Sequence, residues 1–179
     1  MSYRLEVITT SVADAVRYAG GLMFDRGRAG WRVSVITEDA AQSRALTVLG
    51  ARLQLPGQLD DVLYKPDRLA RTLLMPVDEL TEDRHLAAVN YGDEPCAQLL
   101  FWGADGSESA AARHLVRHDL SPAARSFKTH ALRCAGLDTE VKRSELFWVD
   151  DPLASARFGD LRMSDVSAGG DRAPARTPT

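Results

Sequence analysis

The sequence predicts a single three-layer, Rossmann-like α/β domain with a mainly parallel sheet of about five strands and helices on both faces. Three observations carry that expectation. Period-2 and 3.6-residue apolar patterns alternate over the first 55 residues in the order strand, helix, strand, helix, strand. Parallel neighbours need a crossover, which is usually a helix. Ala97 to Trp102 is almost continuously apolar, as expected of a strand buried on both faces and near the sheet centre. Ser121-Pro122 and Gly136 bracket one helix with a capping hydroxyl, a proline at the first helical position and a glycine stop.

The elements follow in order. In Tyr3 to Thr10, Leu5 and Val7 alternate with Arg4 and Glu6, the mark of a half-buried strand. Ser11 starts a helix whose stripe is Val12, Val16, Ala19 and Met23. Gly20 and Gly21 inside it either permit close packing or bend the helix, each at about 1 kcal/mol relative to Ala. Trp31 to Thr37 is the second strand. A second helix runs from Asp39 to Leu49, stopped by Gly50, and a short strand from Ala51 to Leu55 ends at Pro56-Gly57. Gln58 to Tyr64 reads as loop, Asp67 to Met75 as a helix ended by Pro76, and Thr81 to Val89 as a helix capped by Thr81. After Ala97 to Trp102, the turn Gly103 to Ser107 leads to a helix from Glu108 to His118, and Ser144 to Val149 is the last strand. The expected organisation is an α/β domain over 1–158 and a flexible tail over 159–179, rich in Gly, Ala, Ser, Pro, Asp and Arg.

At 179 residues, with 45% hydrophobic and 26% charged residues, the chain matches ordinary globular composition. No apolar run approaches the roughly 20 residues of a bilayer span, and Arg4 and Glu6 interrupt what would be the apolar core of a secretory signal. A cytoplasmic location is expected, with Cys96 and Cys134 as thiols. The net charge of −3 hides an asymmetry: seven Lys or Arg stand against three acids between Ala111 and Arg143. A solvated helical face explains it most simply.

Candidate chemistry sits where strands end, since open α/β sheets bind ligands at the strand carboxyl ends. Thr9-Thr10-Ser11 stands where a dinucleotide-binding chain carries glycines, so hydroxyls and helix-start amides would have to hold any anion. Weak or absent nucleotide binding is the expectation. Thr37-Glu38-Asp39 places acids at the end of the second strand, either as ribose-gripping residues or as helix caps. Asp105, Gly106 and Ser107 form a third turn, without G-x-S-x-G or a Walker lysine. His114 with His118, and His130 with Cys134, are i, i+4 pairs with zinc-ligand chemistry. Core packing of Cys134 and an exposed basic face for His114 and His118 account for them without metal. Glu108 to Ala135 has the outline of a helix-turn-helix but lacks the usual turn glycine.

No residue set completes a nucleophile, base and stabiliser. The expected function is therefore a binding or regulatory module without a catalytic centre. An enzyme acting on a small anionic or nucleotide-like substrate at the strand carboxyl ends is the alternative, and nucleic-acid binding through 108–135 the second. The candidate ligand-binding residues are Thr10, Ser11, Thr37, Glu38, Asp39, Asp105, Gly106 and Ser107. Arg125, Lys128 and Arg133 form an exposed partner-binding face whose replacement by Glu should leave the fold intact. No metal and no cofactor are called for. The expected partner is a protein or a small anionic ligand, not a membrane; nucleic acid is less favoured, and a homo-oligomer is left open.

Overall fold

Among the described residues, one mixed sheet of eight strands forms the framework, in the order β3-β2-β1-β4-β5-β7-β6-β8. The structure, a computed structural model, describes residues 2–57, 69–78, 98–103, 113–149 and 159–163. The elements are β1 Ser2–Ile8, α1 Val12–Arg28, β2 Arg32–Ile36, α2 Ser43–Val48, β3 Arg52–Gln54, β4 Leu69–Pro76, β5 Gln98–Trp102, β6 His114–Asp119, α3 Pro122–Cys134, β7 Ser144–Val149 and β8 Arg162–Met163. Strands β3, β2, β1, β4 and β5 are mutually parallel. β7 pairs antiparallel with both β5 and β6, and β8 pairs antiparallel with β6. The expected strands at Tyr3 to Thr10, Trp31 to Thr37, Ala51 to Leu55, Ala97 to Trp102 and Ser144 to Val149 share this sheet as β1, β2, β3, β5 and β7. The five-strand, mainly parallel expectation is corrected to a mixed sheet extended by an antiparallel half.

Alternation divides the sheet into two faces. Leu5, Val7, Val33, Val35, Leu74, Leu100, Val116 and Phe147 point into one core with Val12, Val16, Ala19 and Met23 of α1, Leu46 of α2 and Ala131 and Leu132 of α3. Leu73, Met75 and Phe101 form a second cluster on the opposite face, with Ile8, Leu99 and Trp148 against it. Within the described residues, the expected helices on both faces are met on one face. No described helix is long and apolar enough to cross a membrane.

Two corrections concern strands that read as helices. β4 lies between β1 and β5 at the centre of the sheet, although Leu-Ala-Arg-Thr-Leu-Leu-Met favours helix by local propensity. Pairing on both sides overrides that preference: Arg71 Nε donates to Glu6 of β1 at 2.8 Å, and Thr72 Oγ1 donates to Gln98 of β5 at 3.2 Å. β6 occupies the second half of the expected Glu108 to His118 helix, with Val116 and His118 buried on alternate positions. The sheet edge also continues past the expected domain end. Leu161 is buried in the main core, and Arg162 and Met163 pair with β6, so 159–163 are not part of an unpacked tail.

The terminal signals of α3 lie where the sequence places them. Ser121 Oγ accepts from Ala124 N at 3.0 Å with Pro122 opening α3, and Gly136, at φ +69°, closes it with Leu137 N bonded to Leu132 O. Helix α2 begins at Ser43 rather than at Asp39, because the Asp39 carboxylate is engaged elsewhere, as shown below.

The glycine pair allows close approach. A Cβ on Gly21 would stand 2.4 Å from Leu120 Cγ and 3.0 Å from Glu145 Oε1, and one on Gly20 would stand 3.3 Å from Lys128 Cγ. Helix α1 therefore rests on the β6–α3 junction through Gly21 backbone. We expect Gly21→Ala to destabilise by about 1–3 kcal/mol by overpacking. Gly27→Ala, whose Cβ meets nothing nearer than Val33 at 3.8 Å, should stabilise by about 0.5–1 kcal/mol. Urea unfolding of the two variants checks both signs.

Candidate functional site

Strand order reverses at β1. The chain runs outward from β1 to β2 to β3 and then returns to place β4 on the other side of β1. In open α/β sheets the crevice at the carboxyl ends of such strands is the usual ligand position. Here the corresponding position falls between the Thr9–Ser11 turn after β1 and Val77–Asp78 after β4, next to Gly103 after β5. Val77 N donates to Trp102 O at 2.7 Å, and Gly103, at φ +126°, lies against Val77, so the ends of β4 and β5 are locked together.

The two hydroxyl and acid loops converge, but on each other. Ser11 caps α1 by accepting from Asp14 N at 3.2 Å. Thr9 Oγ1 accepts from Ser11 N at 3.1 Å, and Thr37 Oγ1 accepts from Asp39 N at 3.0 Å, with both threonines buried. The Asp39 carboxylate then reaches across to accept from Val12 N at 3.2 Å and from Ala41 N at 3.0 Å. An internal anion thus occupies the first-turn amide of α1, where a helix offers positive potential to a phosphate. Thr10 and Glu38 are exposed at the same end. Asp105, Gly106 and Ser107 lie outside the described residues.

Along α1, Ser11, Asp14, Tyr18 and Gly21 recur at spacings of three and four and so share one stripe. Tyr18 is 42% exposed and its ring stacks on Trp102, which ends β5, at 6.5 Å between centroids. Asp14 lies 3.9 Å from Arg17. Asp78 was invisible from the sequence because β4 read as a helix, and the Tyr18–Trp102 pairing because it joins residues far apart in the chain.

A second polar cluster is buried under α1 and α3. Glu145 of β7 accepts from Gly21 N at 2.7 Å, Leu22 N at 2.8 Å and Lys128 Nζ at 2.6 Å. Lys128 is therefore removed from the exposed basic face, while Arg125 and Arg133 remain exposed. The reason is geometric: Lys128 follows Ala124 by four residues and precedes Ala131 by three, all on the buried stripe of α3. Next to this group, Asp25 Oδ1 accepts from Ser121 Oγ at 2.6 Å, and Asp25 Oδ2 accepts from Ser121 N and lies 3.1 Å from His118 Nε2. Serine, aspartate and histidine meet here, but the carboxylate stands between the other two and Ser121 Oγ is also the α3 cap. The imidazole therefore cannot take the serine proton, and the trio holds α1 to the β6–α3 junction.

The zinc constellation does not assemble. His114 and His118 lie on a strand, where four residues span about 13 Å rather than one helical turn. His130 and Cys134 are exposed on α3. Among the described residues no three His, Cys, Asp or Glu side chains are grouped to hold a metal ion. The strand at His114–Asp119 likewise removes the first helix of a helix-turn-helix.

No protein-family model and no curated protein matches the chain. Solved structures do share its fold. The antimicrobial A40926 pseudoaglycone deacetylase Dbv21 superposes with a TM-score of 0.54 at 15% identity, over 82% of this chain and 96% of its own. A triple mutant of a deacetylase involved in the teicoplanin biosynthetic pathway gives 0.52 at 15% identity, over 92% and 100%. A deacetylase–teicoplanin complex from that pathway gives 0.52 at 14% identity, over 90% and 99%. The likeness is one of fold. It corrects the expectation of a binding module without catalysis to this extent: these three solved structures that share the fold are of deacetylases.

Charge reversal separates the two kinds of basic residue on α3. Lys128→Glu should destabilise by about 3–5 kcal/mol or abolish folding, since it leaves Glu145 buried against a like charge. Arg125→Glu and Arg133→Glu should each change stability by about 0.5 kcal/mol or less. Chemical denaturation followed by far-UV circular dichroism distinguishes these outcomes.

Proposed function

We propose that the chain is an enzyme acting on a small polar substrate at the carboxyl ends of β1, β4 and β5, and that hydrolysis of an N-acyl group is its reaction class. One observation carries the proposal: strand order reverses between β1 and β4, and both strands end there in polar residues, Thr9–Ser11 and Asp78. The fold shared with deacetylases supports the choice of reaction. A fold does not by itself assign chemistry, so the residues at this edge carry the rest of the argument.

The edge is acidic. Asp14, Glu38, Asp39 and Asp78 lie there, and Asp39 already fills the anion position at the start of α1. A neutral N-acyl compound suits such an edge better than a nucleotide polyphosphate, whose phosphates would meet carboxylates. Amide hydrolysis needs a base to take a proton from water as it attacks the acyl carbon, and an acid to protonate the departing amine. Asp78, exposed just after β4, is our candidate base; Tyr18 stacks on Trp102 at the end of the neighbouring β5.

Acetate release from N-acetylated amino sugars, N-acetylated amino-acid amides and diacetylated diamines, followed by proton NMR with and without a divalent cation, tests the reading. Asp78→Asn should lower the rate about 100-fold or more, whereas Arg125→Glu on the far helix should leave it unchanged. Unaltered turnover in Asp78→Asn removes that residue from the role of base. Saturable micromolar binding of ATP or NAD, with no acetate from any compound, would favour a nucleotide-like substrate.

A further inference from the structure

His118 of β6 is buried, and both of its ring nitrogens face acceptors. Nδ1 lies 3.0 Å from the main-chain oxygen of Asp160, and Nε2 lies 3.1 Å from Asp25 Oδ2. A carbonyl oxygen accepts only, and so does an ionised carboxylate. Asp25 Oδ2 also receives the Ser121 amide, and Oδ1 the Ser121 hydroxyl, so the carboxylate is already used as an acceptor. A neutral imidazole carries one N–H and one lone pair. Either tautomer would therefore set a lone pair against an oxygen lone pair inside the protein, and only the doubly protonated ring satisfies both contacts.

Charge balance leads to the same conclusion. Lys128 of α3 meets Glu145 of β7, Glu145 is the cross-strand partner of His118, His118 meets Asp25 of α1, and Arg26 of α1 meets the Asp160 carboxylate at 2.7 Å. With His118 charged, three cations stand against three carboxylates among the described residues. With His118 neutral, the cluster carries a net negative charge in a setting where desolvation makes that costly. Burial by itself would lower the His118 pKa, but the Asp25 and Asp160 hydrogen bonds and the nearby Glu145 and Asp160 charges outweigh it and hold it above its usual value.

We propose that His118 is a permanent imidazolium near neutral pH and acts as a proton-dependent latch for the segment Gly159–Met163. That segment is attached by the Asp160 contacts to His118 and Arg26, by Leu161 in the core and by a pairing of two residues, Arg162 and Met163, with β6. Loss of the His118 proton removes at least one anchor and leaves a net charge in the buried cluster. Release of β8 would leave Val116 and Arg117 on an open strand edge, able to pair with another strand.

The sign of the pH dependence follows from the raised folded-state pKa. The latch contribution is fully present below the unfolded value of about 6.5 and is lost as pH rises through the folded value. Long-range nitrogen–proton NMR of histidine-labelled wild-type protein should show both His118 nitrogens protonated at pH 7. Hydrogen-exchange protection factors at Leu161–Met163 should fall up to about tenfold per pH unit above the His118 transition, while those of β1 stay constant. In His118→Gln, protection at Leu161–Met163 should be low and independent of pH over the same range. A single protonated nitrogen at pH 7, or wild-type protection at Leu161–Met163 that does not change across the His118 titration, overturns the proposal even if the variant fails to fold.

Discussion

The Glu145 carboxylate is the constraint around which the helical layer is arranged. It sits buried on β7 and is neutralised by Lys128 of α3 and by two consecutive main-chain amides of α1. Mid-helix amides normally donate to carbonyls one turn earlier, so their use by a side chain fixes α1 in position and azimuth over the sheet. Such an approach needs a residue without a side chain at the contact, and Gly21 supplies it. The arrangement is self-reinforcing: moving α1 away would remove both main-chain donors from a buried carboxylate, and removing the lysine would remove its ion-pair partner.

Fixing α1 in this way fixes the carboxyl edge of the sheet. The first turn of the helix carries Ser11 and Asp14, and its first amide is tied to the β2 loop through Asp39. The Thr9–Ser11 turn, the Thr37–Asp39 turn and the start of α1 are one hydrogen-bonded unit beside the ends of β4 and β5. A preorganised edge of this kind suits chemistry that needs groups held without reorganisation. The Asp39 carboxylate also stands at the α1 amide that a phosphate would use in a dinucleotide-binding turn.

The antiparallel half of the sheet has a different role. β7 and β6 bring Glu145 and His118 side by side beneath α1, and the charges there alternate from Lys128 through Asp160. Hydrogen bonds from His118 and Ser121 hold the Asp25 carboxyl below its usual range against the upward push of burial. Its contribution to stability is present above the usual carboxylate value and fades as pH falls through the lowered one. The polar cluster is thus most cohesive in the window between the Asp25 and His118 titrations.

The sequence by itself determined what depends on near neighbours. Alternation in β1 and β2, the α1 stripe, and the Ser121-Pro122 start and Gly136 stop of α3 are local patterns, and each appears where the pattern placed it. Thr10, Ser11, Thr37, Glu38 and Asp39 were legible as a strand-end group for the same reason. Tertiary structure decided the rest. β4 became a central strand because Glu6 and Gln98, distant in sequence, satisfy Arg71 and Thr72 and pairing on both sides outweighs helix propensity. Lys128 left the basic face because Glu145, on another element, offered an opposite charge at close range, and His118 parted from His114 because both lie on a strand. A buried charge is placed by its partner, and the partner's position is a property of the fold rather than of the surrounding sequence.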